Sequence, residues 1–262
     1  MNLLESILEN TRSETDYSKK LISIEQLKSM QGYFRKCNSL QSALSSSDPA
    51  IIAELKKASP SKGIIQKDFD HRIIAKAYAD AGACALSVLT DKIYFQGDIS
   101  YIADIREDIS IPILRKDFII DSYQLTQAKA YGADAILLIV AALQKNQLRD
   151  LHQEASELGL ECLVEVHNQE ELESLDLSVV KIVGINNRNL LDFSVDLSTS
   201  IRLASEIPPG ITIVSESGIT SKADIDLLMQ NGIHAVLIGE SLMRSANPGD
   251  ALRVLLDKER VK

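Results

Sequence analysis

The stretch Tyr131-Gly132-Ala133-Asp134-Ala135-Ile136-Leu137-Leu138-Ile139 carries the plan of the whole chain. A glycine closes the helical segment before it, because only glycine enters the left-handed conformation of a helix C-terminus without penalty. The aliphatic run that follows is too short for a helix of its own, and it has no polar face. It reads as a strand buried on both sides, the signature of a parallel sheet. The same order recurs in Ala81-Gly82-Ala83 before residues 85–89, and in Asn231-Gly232-Ile233 before residues 235–238.

Outward from that unit, eight aliphatic runs appear, at 51–55, 85–89, 111–114, 135–139, 162–166, 181–185, 211–214 and 235–238. Between them lie segments of helical period. Ile73, Ile74 and Tyr78 mark one face of the helix expected at 71–81; Leu148, Leu151, Ala155 and Leu158 mark another, and Ile225, Leu227 and Leu228 a third. Eight strand-then-helix units predict an α/β fold in which a single (β/α)8 TIM barrel closes on itself, with a doubly wound open sheet as the alternative. The length of 262 residues suits one such barrel, which takes about 250. Residues 1–48 fall outside the repeat. Leu3, Leu4, Ile7 and Leu8 form a helical stripe, Ile22, Leu27 and Met30 begin another, and the serine-rich segment 42–48 reads as a polar linker. The expected division is an N-terminal helical extension at 1–48, packed on a catalytic barrel at 49–262.

Composition bounds the partners. A formal net charge of −9 leaves no broad basic surface for nucleic acid or an anionic membrane, although a few cations in one cleft still suffice for a small anion. The longest apolar run, 135–143, is far short of the ~20 residues of a membrane helix. Residues 1–10 hold no cleavable hydrophobic stretch, and Cys37, Cys84 and Cys162 form no C-x-x-C pair. A cytoplasmic protein is expected. His71, His152, His167 and His234 show no ligand spacing, so no metal is expected.

In a barrel the reacting groups stand at the C-terminal ends of the strands, on the inward faces. The first strand ends Ala53-Glu54-Leu55-Lys56, and alternation puts Glu54 and Lys56 on one face. A simple buried ion pair would leave the same trace. The third strand brings Lys116 inward with Leu114, leaving Arg115 and Asp117 toward the helices, and the fifth brings Glu165 inward with Leu163. The sixth strand ends at Asn186, followed by Arg188 and Leu190, and the seventh ends Ser215-Glu216-Ser217-Gly218. The eighth ends Gly239-Glu240-Ser241. Each charge alone has a bland reading as a solvated loop residue; several converging on one mouth do not. Ser217-Gly218-Ile219-Thr220 and Gly239-Glu240-Ser241 occupy the loops after strands seven and eight, the usual phosphate site of this fold, so a phosphorylated, sugar-like substrate is expected. The first βα loop, Lys57-Ala58-Ser59-Pro60-Ser61-Lys62-Gly63, has the polar, basic composition of a lid or of an ordinary exposed turn.

These motifs resemble those of the indole-3-glycerol-phosphate synthase family. The residues that carry the resemblance run from Ile52 to Gly63, with Ser87-Val88-Leu89-Thr90 and Tyr94-Phe95, Leu114-Arg115-Lys116-Asp117-Phe118, Leu163-Val164-Glu165-Val166, Gly184-Ile185-Asn186-Asn187-Arg188, Ser215-Glu216-Ser217-Gly218-Ile219 and Ile238-Gly239-Glu240-Ser241-Leu242-Met243. The resemblance implies ring closure of 1-(2-carboxyphenylamino)-1-deoxyribulose 5-phosphate with loss of CO2 and water, a carboxy-lyase step of tryptophan biosynthesis, with no cofactor. It implies a catalytic set of Glu54, Lys56, Lys116, Glu165, Asn186 and Ser217. Lys116 is the candidate general acid and Glu165 the acid/base of the dehydration; Glu54 orients Lys56. Substrate binding falls to Ser59, Phe95, Phe118, Arg188, Leu190, Glu216, Gly218, Gly239 and Glu240, with Phe95, Phe118 and Leu190 as the apolar slot and Arg188 suited to a carboxylate. A monomer is expected. The rival readings are a ketol isomerase, a Schiff-base aldolase using Lys116, and a catalytically silent sensor of a phosphorylated ligand.

Overall fold

The computed structural model describes residues 3–190 and 192–258. Eight parallel strands close a barrel: β1 (Ala50–Leu55), β2 (Ala85–Leu89), β3 (Ile113–Lys116), β4 (Ala135–Ile139), β5 (Glu161–Val166), β6 (Ile182–Asn186), β7 (Thr212–Glu216) and β8 (Ala235–Ile238). Each strand pairs with its neighbours in sequence, and β1 closes the ring on β8 through Ala50↔Ala235 to Ala53↔Ile238. The open-sheet alternative is thereby removed. The third strand begins two residues later than the aliphatic run at 111–114, because pairing with β2 starts at Leu86↔Ile113 and continues to Leu89↔Lys116. That register carries Lys116 to the rim.

Among the described residues three α-helices precede the barrel, α1 (Leu3–Leu21), α2 (Ile24–Ser29) and α3 (Leu40–Ser45), with a 3-10 turn at Gln31–Phe34 between the last two. The segment at 42–48 is not a linker throughout: α3 runs into it, capped by the Ser39 side chain. Leu40 and Leu44 of α3 are buried against the interior residues Ala50, Ile52, Ala85 and Ala235, so α3 plugs the N-terminal end of the barrel. Serine-rich composition concealed a helix whose two leucines, one turn apart, do the packing. The ends of the 1–48 and 49–262 division, residues 1–2 and 259–262, lie outside the described residues.

The outer ring follows as α4 (His71–Ala81), α5 (Ser100–Arg106), α6 (Ser122–Tyr131), α7 (Lys145–Glu157), α8 (Gln169–Ser174), α9 (Ser198–Ala204), α10 (Lys222–Gln230), α11 (Glu240–Met243) and α12 (Pro248–Leu255). Gly132 ends α6 at φ 94°, as the opening motif requires. Two expected core positions are corrected. Ile73 and Leu227 are exposed; α4 buries Ile74, Ala75, Tyr78 and Ala81, and α10 buries Ile225 and Leu228. Both helices present a stripe narrower than their aliphatic content. Tyr123 of α6 donates to the carbonyls of Ser18 and Ile22 at 3.0 and 2.9 Å, fastening the N-terminal helices to the ring. Among the described residues no helix is long and apolar enough to cross a membrane.

Candidate active site

A cavity of about 530 Å³ opens at the C-terminal ends of the strands, and every candidate residue from the sequence lines it. Strand alternation decides which side chains reach it. Arg115 stays outside the lining and pairs with Asp117 at 2.9 Å, whereas the Lys116 side chain between them reaches the carboxylates of the cavity.

The floor is a charge cluster. Lys116 Nζ lies 3.1 Å from Glu165 Oε2 and 3.1 Å from Glu216 Oε2. Lys56 Nζ sits 3.3 Å from Glu54 Oε1, and Ser87 donates to Glu54 Oε2 at 3.4 Å. Burial opposes the charge on Lys116, but Glu165, Glu216 and Glu54 outweigh it and hold the ammonium well above its ordinary pKa. Burial alone would raise Glu165. The Lys116 ammonium, His167 and Asn186 reverse this, and Glu165 stays ionised well below the usual carboxylate range. Glu216 is pushed up to about 7, first by burial and further by the charge on Glu165, with Lys116 only partly offsetting. One ammonium thus serves two carboxylates, of which Glu165 is shifted toward the charged form and Glu216 toward the neutral one. Gly239, expected at the phosphate, also makes room for this floor, since a side chain there would collide with the carboxylate of Glu54.

One wall is apolar. The rings of Phe95 and Phe118 stand 6.4 Å apart between centroids, Lys56 Nζ lies 5.9 Å from the Phe95 centroid, and Leu190 lines the same cavity. Leu3, Leu4 and Ile7 of α1 also line the cavity. Their stripe was legible in the sequence; that it borders the mouth was not.

Another part of the lining offers groups that could hold an anion. Ser217 and Gly218 take φ values of 69° and 84°, a turn that exposes consecutive backbone N–H groups. Glycine is required at 218, since a side chain there would strike Val195. Asn187 holds this turn, donating to Ser215 Oγ at 2.9 Å and to the carbonyls of Glu216 and Ser217 at 3.0 and 3.1 Å. Gly239 and Glu240 continue the wall, and Lys62 and Arg244 add positive charge. The Ser59 hydroxyl is buried there with no hydrogen-bond partner among the described residues. Its loop folds as a hairpin, Ala58–Ser59 paired with Gly63–Ile64. Between the walls, Arg188 reaches within 3.7 Å of Glu240 and its backbone N–H donates to Asn186 Oδ1 at 3.0 Å.

Sequence reasoning missed His167. In the sequence this residue stands out only by its lack of metal-ligand spacing, yet the imidazole touches Glu165. The signal that could have found it was parity: His167 follows Glu165 by two positions and so shares its face.

A family model described as indole-3-glycerol phosphate synthase matches residues 4–255. The chain is 53% identical to the indole-3-glycerol phosphate synthase of Desulfotalea psychrophila over 215 residues, 82% of this chain and 83% of that one. To the indole-3-glycerol phosphate synthase of Salinibacter ruber it is 45% identical over 254 residues, 96% of this chain and 94% of that one. Among solved structures, a mutant tryptophan synthase alpha-subunit from Pyrococcus furiosus superposes with a TM-score of 0.62 at 16% identity, covering 80% of this chain and 98% of that one. That last likeness concerns the barrel fold alone.

Proposed function

The chain belongs to the indole-3-glycerol phosphate synthase family, and from that premise we propose how its cavity carries the family's reaction. The enzyme converts 1-(2-carboxyphenylamino)-1-deoxyribulose 5-phosphate to indole-3-glycerol phosphate, releasing CO2 and water, in tryptophan biosynthesis. The observation that carries the residue assignment is the Lys116 ammonium held between Glu165 and Glu216 at the cavity floor.

Lys116 is the general acid of ring closure. As the aromatic carbon attacks the ketone carbon, the ketone oxygen becomes an alkoxide more basic than any amine. A lysine with a raised pKa still gives up its proton there, and its charge stabilises the developing oxyanion beforehand. Decarboxylation then sends its electron pair into the substrate's own iminium. Glu165, ionised and beside Lys116, removes the ring proton and serves the loss of water, with Asn186 holding it. Lys56, oriented by Glu54 and lying over Phe95, binds the anthranilate carboxylate, and Arg188 is suited to the same group. Phe95, Phe118 and Leu190 clasp the aromatic ring. Ser59, Ser217, Gly218, Gly239 and the Glu240 backbone take the phosphate, a reading supported by the partnerless Ser59 hydroxyl and the positive-φ turn at 217–218. The raised pKa of Lys116 argues against the Schiff-base alternative, which needs a neutral amine.

Residues 1–48 serve as an extension of this barrel rather than a second domain, supported by Leu3, Leu4 and Ile7 at the cavity wall. We infer a monomer, as in the family resemblance, acting in the cytoplasm, a location supported by the three cysteines being free thiols.

The test uses the absence of tryptophan from the chain. Mixing the purified protein with the carboxyphenylamino-deoxyribulose phosphate should produce a new indole emission that EDTA leaves unchanged. No emission from folded protein and verified substrate overturns the reading.

A further inference from the structure

We propose that His167 is a positioning residue for Glu165, held in turn by Glu171, so that the first turn of α8 sets the orientation of the acid/base carboxylate. The inference rests on the role given above to Glu165.

The His167 side chain is only 6% exposed and lies between two carboxylates. Its Nε2 is 3.2 Å from Glu165 Oε1, and its Nδ1 is 3.1 Å from Glu171 Oε2. The Nε2 approach is not aligned as a hydrogen bond, and that nitrogen has no other hydrogen-bond partner among the described residues. It is an ion contact aimed at the carboxylate. A neutral imidazole would turn a lone pair toward one of the two acids, whereas the imidazolium carries positive charge toward both. Burial pulls the imidazole pKa down, but Glu165 and Glu171 outweigh it and raise it to about 10.

The consequence falls on Glu165. Its Oε1 faces His167 and accepts from Asn186 at 3.2 Å, while its Oε2 is left to Lys116 at 3.1 Å and to the cavity. Two contacts on one oxygen fix the rotation of the carboxylate and aim the other. Glu171 is itself immobilised. It accepts from the His167 backbone N–H at 2.8 Å and from Asn168 Nδ2 at 2.9 Å, and its own N–H donates to Asn168 Oδ1 at 2.9 Å. Asn168 already caps α8, so helix capping alone does not call for a charged ring at 167.

The experiment is a double-mutant cycle followed by indole emission in steady-state and single-turnover modes. The variants are His167→Gln, Glu171→Gln, Glu165→Gln and the double variant Glu165→Gln/His167→Gln. His167→Gln should lower kcat roughly ten-fold or more with KM within about two-fold, and Glu171→Gln should act in the same direction more weakly. In the Glu165→Gln background the second substitution should have almost no effect, because a residue that acts through Glu165 falls silent without it. A folded His167→Gln protein with kcat within about two-fold of the parent overturns the inference, as does a double variant slowed by the product of the single effects. If His167→Gln does not fold, the same cycle with Glu171→Gln decides. If Glu165→Gln itself turns over normally, the Glu165 assignment falls, which is a separate result from failure of His167 alone.

Discussion

Gly184 has no side chain where the Glu216 carboxylate lies, and a methyl group there would overlap Glu216 Oε1. The two residues stand on adjacent strands, β6 and β7, whose pairing brings Gly184 opposite Val214 and Asn186 opposite Glu216. The missing side chain is what admits a buried carboxylate to the site of Lys116.

Gly184→Ala should therefore act mainly on catalysis. The added methyl also meets Leu163 at 3.2 Å, so a stability loss of about 1–3 kcal/mol is expected. Turnover should fall at least ~10-fold as Glu216 is displaced from Lys116. Thermal unfolding and single-turnover rates measured together check it; unchanged turnover would show that Glu216 can move without consequence.

Lys116→Ala should lower turnover by about 10²–10⁴-fold in a folded protein. It should also change the pH response. Without the ammonium, burial acts on both carboxylates with less opposition: Glu165 loses the largest influence holding its pKa down, and Glu216, already raised, rises further. An acid whose folded pKa is raised loses stability as pH rises, so the deficit in Tm relative to the parent should widen above pH 4.5. Calorimetry across pH reads this, and a deficit independent of pH would contradict it.

Glu216→Gln probes the same linkage in the parent. Burial raises the Glu216 carboxyl from its ordinary 4.5 to about 7, so between these values the native state should hold more protons and its stability fall as pH rises. The glutamine variant should show a flatter dependence of Tm on pH in that window, together with slower turnover. Parallel profiles for variant and parent would mean Glu216 is ionised throughout.

Leu40→Ala should separate fold from chemistry. Leu40 is fully buried at the opposite end of the barrel from the cavity, so truncation should cost about 2–5 kcal/mol. The kcat should stay within about two-fold where the protein is folded. Denaturant titration and kinetics check both parts; a large loss of kcat would couple the plug to the site.

If Arg188 binds the substrate carboxylate as proposed, Arg188→Lys should raise KM by about ten-fold with little change in kcat, because an ammonium cannot reproduce the two-pronged contact a guanidinium makes. Equal loss in kcat would place Arg188 in the chemistry instead.

The barrel was legible because its evidence is repetitive and local. Eight aliphatic runs and glycine stops such as Gly132 survive errors of one or two residues at any boundary, as with the third strand, which starts at Ile113 rather than at 111. The helix at 40–45 was not legible. Its two buried leucines stand among serines, and only the open end of the barrel gives them something to pack against.

For the site, the sequence by itself determined which side chains face inward. Alternation along Glu54 and Lys56, about Lys116 and about Glu165 is a one-dimensional property, and strand position makes each face the same cavity. Tertiary structure alone decided which of these groups meet. Lys116 and Glu165 are 49 residues apart and touch because two strands of a staggered barrel bring their ends to one level. The same closure decided that Glu216 shares that ammonium, that His167 stands between Glu165 and Glu171, and that α1 borders the mouth. Protonation follows from these meetings, because a pKa is set by burial and by charges a few ångströms away, and neither is a property of the chain read in order.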